Sequence, residues 1–205
     1  PAGYYAFVGK VADLHAAPGG QNPDWHSDNR TGVPQFWEFV LFREKTAKLW
    51  GEIARRLCGY EYLLGYDLLN EPAMASWDAL NGFYAQAISE IRAHDPFHAI
   101  VLEGDLFAMD FSGLARFDDA NILLSFHYYP TVWHPDLLDK TLPRPERYRQ
   151  LEEGLVRLAA IREQFSRPVI CGEAGYDLDE SDMGFSMDLL SDTLEIFEKH
   201  RVNWA

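Results

Sequence analysis

Short apolar runs of strand length alternate with helical segments along the whole of this 205-residue chain. Strands are predicted at about Tyr5 to Leu14, Leu63 to Leu69, Ala99 to Leu102, Ile122 to Phe126, Pro168 to Gly172 and from Val202 onward. Helices are predicted between them. Apolar residues recur at helical spacing from Pro34 to Leu57 (Phe36, Phe39, Val40, Ala47, Trp50, Ile53, Ala54, Leu57). Ser76 reads as an N-cap ahead of Leu80, Phe83, Tyr84, Ala87, Ile88 and Ile91. Glu146 to Phe165 and Phe185 to His200 repeat the pattern, and a short helical or irregular piece covers about Leu106 to Arg116. Alternation of this kind implies parallel strands joined by helical crossovers. An open doubly wound sheet and a closed eight-stranded barrel both satisfy it. No repeat or linker interrupts the chain, so one domain over residues 1–205 is expected.

Polar residues gather where the strands end. His15 closes the first run, after Asp13. Asn70 and Glu71 close the second, where Pro72 cannot donate to a ladder. Glu103 stands at the end of the third. His127 and Tyr129 follow the fourth, and Glu173 the fifth. In parallel α/β folds the C-terminal ends of the strands carry the ligand sites. Any one of these residues has an ordinary reading: Asp13 and His15 as a hydrogen-bonded core pair, Glu71 as a cap, Tyr128 or Tyr129 as packing. Their recurrence at successive strand ends points to one site.

The bulk numbers narrow the ligand. A formal net charge of −14 and a pI near 4.8 repel phosphate backbones, so no nucleic-acid partner is expected. No glycine-rich phosphate fingerprint follows any strand, which disfavours a nucleotide. No run is long enough to span a bilayer, and no membrane partner is expected. The two cysteines, Cys58 and Cys171, make no disulfide framework or metal spacing, and neither a metal nor a cofactor is expected. Aromatic residues make up 14% of the chain, a surplus that suits stacking on a neutral sugar ring. Trp25 and Trp133, in long polar loops, are the preferred platforms, with His26, Trp77 and His134 beside them as weaker candidates.

Two carboxylates facing one cavity suit glycoside hydrolysis. One is kept protonated to release the departing sugar oxygen, and the other is kept ionised. A separation of about 5 Å marks a retaining enzyme, and about 6.5–9.5 Å an inverting one. Leu69-Asn70-Glu71-Pro72, His127-Tyr128-Tyr129 and Gly172-Glu173 resemble the strand-four, strand-six and strand-seven signatures of glycoside hydrolase family 5. Asp13-Leu14-His15 resembles its strand-three signature. The resemblance implies part of a (β/α)8 barrel, about strand three to the start of strand eight. It also implies a retaining, cellulase-like cleavage of a β-glucan by double displacement. Glu71 would be the acid/base and Glu173 the nucleophile. Asn70 would bond the sugar 2-hydroxyl, Tyr129 would orient Glu173 and help keep it ionised, and His15 and His127 would line the cleavage subsite. The partner would be a polysaccharide or oligosaccharide, and the protein a monomer. Localisation is not legible, although a secreted protein fits.

The chain also departs from that family. Its first two strands, and an arginine that supports the nucleophile, have no counterpart here. Lys10 is odd for a buried parallel strand, and Trp204 reads as a strand residue rather than as the family's strand-eight tryptophan. The expectation is a piece of a larger barrel that, expressed alone, folds poorly and is inactive. The competing readings are a β-mannanase, an exo-β-1,3-glucanase or end-trimming glycosidase, a metal-dependent barrel hydrolase built on His15 and His127, and a non-catalytic carbohydrate-binding fragment.

Overall fold

The computed structural model describes residues 10–176 and 181–205. Contacts divide the chain into two compact units with the boundary after Leu123, and each is described separately.

In the first unit β1 (Lys10–Asp13), β2 (Leu63–Asp67) and β3 (Ala99–Glu103) form a parallel array in the order β1-β2-β3. Tyr66 pairs with both Ala12 and Ile100. The part of the first predicted strand before Lys10 lies outside the described residues. Leu68 and Leu69 are fully buried just past β2, whereas Leu64 is half exposed. Lys10 is exposed. It lies beside an open apolar groove of about 580 Å³ lined by Val11, Leu57, Tyr60 and Tyr62, so no charge is buried there.

Two helices, α2 (Val40–Leu57) and α3 (Trp77–Arg92), pack on one another. The buried face of α2 (Ala47, Trp50, Ala54) and that of α3 (Leu80, Phe83, Tyr84, Ala87, Ile91) have the i, i+3, i+4 spacing of the sequence. Trp50 donates its indole N–H to the Leu68 carbonyl at 3.0 Å, which ties α2 to the chain leaving β2. Ser76 caps α3, as its sequence position predicts, accepting from the Ala79 N–H at 3.2 Å.

The single helix predicted over Pro34–Leu57 is two. A short α1 (Gln35–Glu38) precedes α2, and Phe39 between them is extended (φ −106°, ψ 107°). Long-range tethers cause the break. Phe36 is fully buried, Trp37 donates its indole N–H to the Gln21 and Ala73 carbonyls at 2.8 and 3.0 Å, and Arg43 bonds the Phe36 and Trp37 carbonyls. After β3, the short α4 (Asp105–Ala108) is irregular, because Leu106, Phe107 and Ala108 are all left-handed, at φ +55° to +61°.

In the second unit β4 (Ile122–Tyr128), β5 (Val169–Ala174) and β6 (Asn203–Trp204) run parallel in the order β4-β5-β6. The loop after β4 holds a short α5 (Pro130–Trp133) and a 3-10 turn over Pro135–Leu138. The predicted helix Glu146–Phe165 is α6 (Arg144–Ala159) and α7 (Ile161–Phe165), separated at Ala160. The last helix, α8 (Met183–Lys199), packs on α6. Its N-cap is Asp182, which accepts from the Phe185 N–H at 3.1 Å. The neighbouring Asp177, Asp179 and Glu180 lie outside the described residues. Arg144 pairs with the buried Asp192 at 2.7 Å across α6 and α8. Trp204 is a strand residue in β6, half exposed and tilted 33° against Phe197.

Candidate active site

In the first unit the site is built on the turn that follows β2. The chain stays paired past Asp67: the Leu68 N–H bonds the Val101 carbonyl and the Asn70 N–H bonds the Leu14 carbonyl. It then turns sharply, and Glu71 sits in the left-handed region (φ +48°). A non-glycine residue there costs about 1–2 kcal/mol, and such strain persists only where the surroundings over-determine it. Here they do. Glu103, buried at the end of β3, accepts the Glu71 N–H at 2.7 Å. Asn22 donates to the Glu71 carbonyl at 2.9 Å, and Gln21 donates to the Asn70 carbonyl at 2.7 Å. The Phe107 N–H bonds the Pro72 carbonyl at 3.1 Å, and the Ala73 N–H bonds the Gln21 carbonyl at the same distance. The loop after β1 thus holds one side of the turn, and the end of β3 holds the other.

This arrangement fixes where the Glu71 side chain goes. Its carboxyl is mostly buried, and its Oε2 lies 2.8 Å from Nε2 of His26, itself 19% exposed. His15 comes from the end of β1. Its Nδ1 lies 3.0 Å from the Asp13 carboxylate and its ring centroid 6.2 Å from that of His26. Asp13 and His15 are therefore bonded, but both are exposed rather than in the core. Asn70 is buried, and its Nδ2 has no hydrogen-bond partner among the described residues. Trp25, at the head of a 3-10 turn over Trp25–Ser27, is 83% exposed and meets His26 edge to face. Trp77 packs over Gly113, where an added Cβ would lie 2.4 Å from the indole, so its ring is engaged in packing. At the edge of the turn the half-buried Asp105 has its carboxyl pushed up by burial, against the Ala75 N–H that it accepts. Tyr84 beside it donates to the Glu103 carbonyl, and burial and the Glu103 charge raise its hydroxyl.

In the second unit the site residues lie on adjacent strands. His127 pairs in register with Glu173, past an irregularity between Phe126 and His127. The Tyr129 hydroxyl donates to Glu173 Oε2 at 2.8 Å, and His127 Nδ1 lies 3.5 Å from the same oxygen. His127 is buried, while the Glu173 side chain is 32% exposed. Alternation along the chain separates the two tyrosines. Tyr128 is buried and donates to the Leu151 carbonyl at 2.6 Å, so it is packing, whereas Tyr129 reaches Glu173. Two glycines make room for this. A Cβ on residue 172 would stand 2.3 Å from Ser125 Oγ, and one on residue 175 would stand 2.9 Å from the Tyr129 ring. Cys171, beneath Glu173, is buried, and burial pushes its thiol up to about 12. Trp133 closes α5 and is 41% exposed, and His134 after it is also exposed.

Four residues of the first unit's site, Gln21, Asn22, His26 and Glu103, had no assigned role in holding Glu71. Their types and loop positions were visible in the sequence, but nothing local indicates that they converge on residues 70 and 71. No helix of the described residues is long and apolar enough to cross a membrane.

A model of the cellulase family, glycosyl hydrolase family 5, matches residues 13–205. A β-xylosidase of Phanerodontia chrysosporium is 34% identical over 95% of this chain, which spans 43% of that protein's length. A glucan 1,3-β-glucosidase 3 of Schizosaccharomyces pombe is 28% identical over 44% of the chain, and 20% of its own length is matched. Among solved structures, Thermotoga maritima Cel5A in complex with mannotriose superposes on 83% of this chain at a TM-score of 0.71 and 20% identity. The cellulose synthase subunit Z of Clostridioides difficile superposes on 95% at 0.72 and 22% identity. The chain covers 60% and 64% of those two structures. The likeness establishes the fold as an incomplete (β/α)8 barrel.

Proposed function

Because the chain belongs to glycosyl hydrolase family 5, we propose that it forms a single catalytic barrel domain of a retaining β-glycoside hydrolase. Glu173 is the nucleophile and Glu71 the acid/base. The observation that carries this reading is the contrast between the two carboxyls. Glu173 is partly open and accepts the Tyr129 hydroxyl, a bond that orients its carboxyl for attack. Glu71 is mostly buried, and a strained turn braced by Glu103, Asn22 and Gln21 holds it in one place, as a proton donor to a fixed leaving oxygen requires.

In the first step the Glu173 carboxylate attacks the anomeric carbon while Glu71 gives its proton to the departing glycosidic oxygen. The product is a glycosyl-enzyme ester on Glu173 and a free aglycone. In the second step Glu71, now ionised, takes a proton from water as that water displaces Glu173, which restores both groups. Asn70 supports the step through its buried amide nitrogen, which has no partner among the described residues and which a sugar hydroxyl would satisfy. His15 and His127 line the cleaved sugar, and Trp25 and Trp133 serve as stacking platforms. The substrate is a β-glucan cut internally. A second reading, an end-trimming β-xylosidase or β-1,3-glucosidase, draws on the names of the two curated relatives.

The test is hydrolysis by the full-length protein of a panel of soluble β-glucans, mannans, xylo-oligosaccharides and aryl β-glycosides, with and without a chelator. Glu71→Ala and Glu173→Ala should each lose activity. The chelator should have no effect, and azide or formate should partly restore Glu173→Ala on an activated aryl glycoside. Full activity in either variant refutes the assignment. Release of monosaccharide alone from the oligomers favours the second reading over internal cutting.

A further inference from the structure

The proposed mechanism gives no role to the turn after β3. Leu106, Phe107 and Ala108 are all left-handed there, a conformation that non-glycine residues keep only where the surroundings impose it, often at ligand clamps. Met74, three residues past Glu71, is left-handed as well (φ +63°). The two turns are bonded to each other. The Phe107 N–H reaches the Pro72 carbonyl at 3.1 Å, and the Ala75 N–H reaches the Asp105 carboxylate at 3.2 Å. Met74 and Leu106 therefore stand on facing turns, and they are 69% and 46% exposed. Across residues 71–75 and 104–110 they are the exposed side chains. The half-buried Phe107 meets the His26 ring at a centroid distance of 6.4 Å. Trp25 meets the same ring at 6.0 Å, and His26 Nε2 lies 2.8 Å from Glu71 Oε2. An apolar surface thus extends outward from the acid/base carboxyl. The polar side chains beside it face inward: Glu103, Asp105 and Asp110 each accept a backbone N–H.

We propose that Met74, Leu106 and Phe107 form a leaving-group subsite for an apolar aglycone, so that the site also hydrolyses β-glycosides of alkyl and aryl alcohols. Glu71 protonates the departing oxygen, so the leaving group lies against the surface around that carboxyl. A second sugar in this place needs partners for its hydroxyls, because a hydroxyl withdrawn from water without one is costly. Here the polar side chains of the β3 turn already hold backbone, and the open side chains are apolar. An alkyl chain or aryl ring requires no hydrogen bonds and gains from leaving water. Methionine adapts to irregular apolar shapes, and Phe107 adds an aromatic surface. The chemistry balances as before. The glycosidic C–O bond breaks, the Glu71 proton goes to the departing oxygen, the aglycone leaves as a neutral alcohol, and water later replaces the proton. This activity goes beyond glucan cutting but rests on Glu71 being the acid/base, since that role is what puts the leaving group here.

The experiment measures kcat/KM of the full-length protein on methyl, butyl and hexyl β-glycosides of glucose, xylose and cellobiose, below micelle-forming concentrations. The same glycones with a sugar as the leaving group are run beside them. The alkanols differ little in acidity, so the trend along the series reads binding. On the preferred glycone kcat/KM should rise about twofold per added methylene, as apolar burial on an open surface supplies, and the hexyl glycoside should exceed the sugar one. Met74→Asn combined with Leu106→Asn places a residue that tolerates the left-handed region at both positions. It should flatten the rise and change the methyl glycoside by less than about twofold, because a methyl group reaches little of this surface. A flat series in the original protein, or a rise that the double variant keeps, overturns the proposal. So does a sugar leaving group preferred over hexyl, which would place a sugar on these turns. Glu71→Gln separates this subsite from the reading beneath it. If it loses activity on the alkyl glycosides and the series is flat, only the subsite falls. If it keeps full activity on them, the acid/base assignment falls and the subsite with it.

Discussion

Asp95 carries a stability prediction that can be worked through in numbers. It lies in the turn between α3 and β3, fully buried. Burial by itself would raise its carboxyl. The Tyr66 hydroxyl at 2.6 Å, the Phe97 and His98 N–H groups at 3.0 Å each and His98 Nδ1 at 2.5 Å outweigh burial, and together they hold it at about 2 against an ordinary 3.8. That difference corresponds to about 2 kcal/mol of folding stability, at roughly 1.4 kcal/mol per unit. The sign follows from the depression. The contribution is complete above the unfolded value near 4, and it fades as pH falls through the folded value near 2.

Asp95→Asn removes the charge while keeping the shape. The gap in unfolding free energy between the original protein and the variant should therefore narrow by about 2 kcal/mol between pH 5 and pH 2. Urea unfolding followed by tryptophan fluorescence at closely spaced pH values reads this directly. The pH-independent part of the gap reports the amide's poorer fit to four donors. Two curves that run parallel from pH 5 to pH 2 would refute the reasoning, because the donors would then hold the neutral form as well as the charged one.

Trp37→Phe keeps most of the buried ring but strips the indole N–H from the Gln21 and Ala73 carbonyls. It should cost about 1–3 kcal/mol and speed amide exchange at Ala73, both measurable by denaturation and hydrogen exchange. Gly175→Ala puts a methyl 2.9 Å from the Tyr129 ring. It should lower kcat by displacing the donor to Glu173, with an unfolding midpoint that moves less than Trp37→Phe moves it; unchanged kcat would count against Tyr129 as the orienting donor. Alkylation at pH 8 should modify the exposed Cys58 and spare Cys171, whose thiol is buried and raised to about 12, as peptide mapping before and after unfolding would show.

The order of strands and helices was readable because binary patterning is local. The α2 and α3 faces, the Ser76 cap and the buried Leu68-Leu69 pair follow from spacings within a few residues. The glutamates, His127 and Tyr129 were readable for a similar reason: a polar residue ending an apolar run marks a strand end. The break at Phe39 was not, because it comes from Trp37 bonding carbonyls 16 and 36 residues away. The family resemblance singled out Tyr129, whereas the residues alone left either tyrosine as packing, because the difference depends on where β4 keeps its alternation and on the room left by Gly175. The left-handed Glu71 is the clearest case. The Asn70-Glu71-Pro72 sequence announces a turn, and Glu103, Asn22 and Gln21 hold its strained form. The sequence by itself determined which carboxylates stand at the strand ends. Only the tertiary structure decided which side chains brace them, because hydrogen bonds between segments 30 to 50 residues apart leave no local pattern.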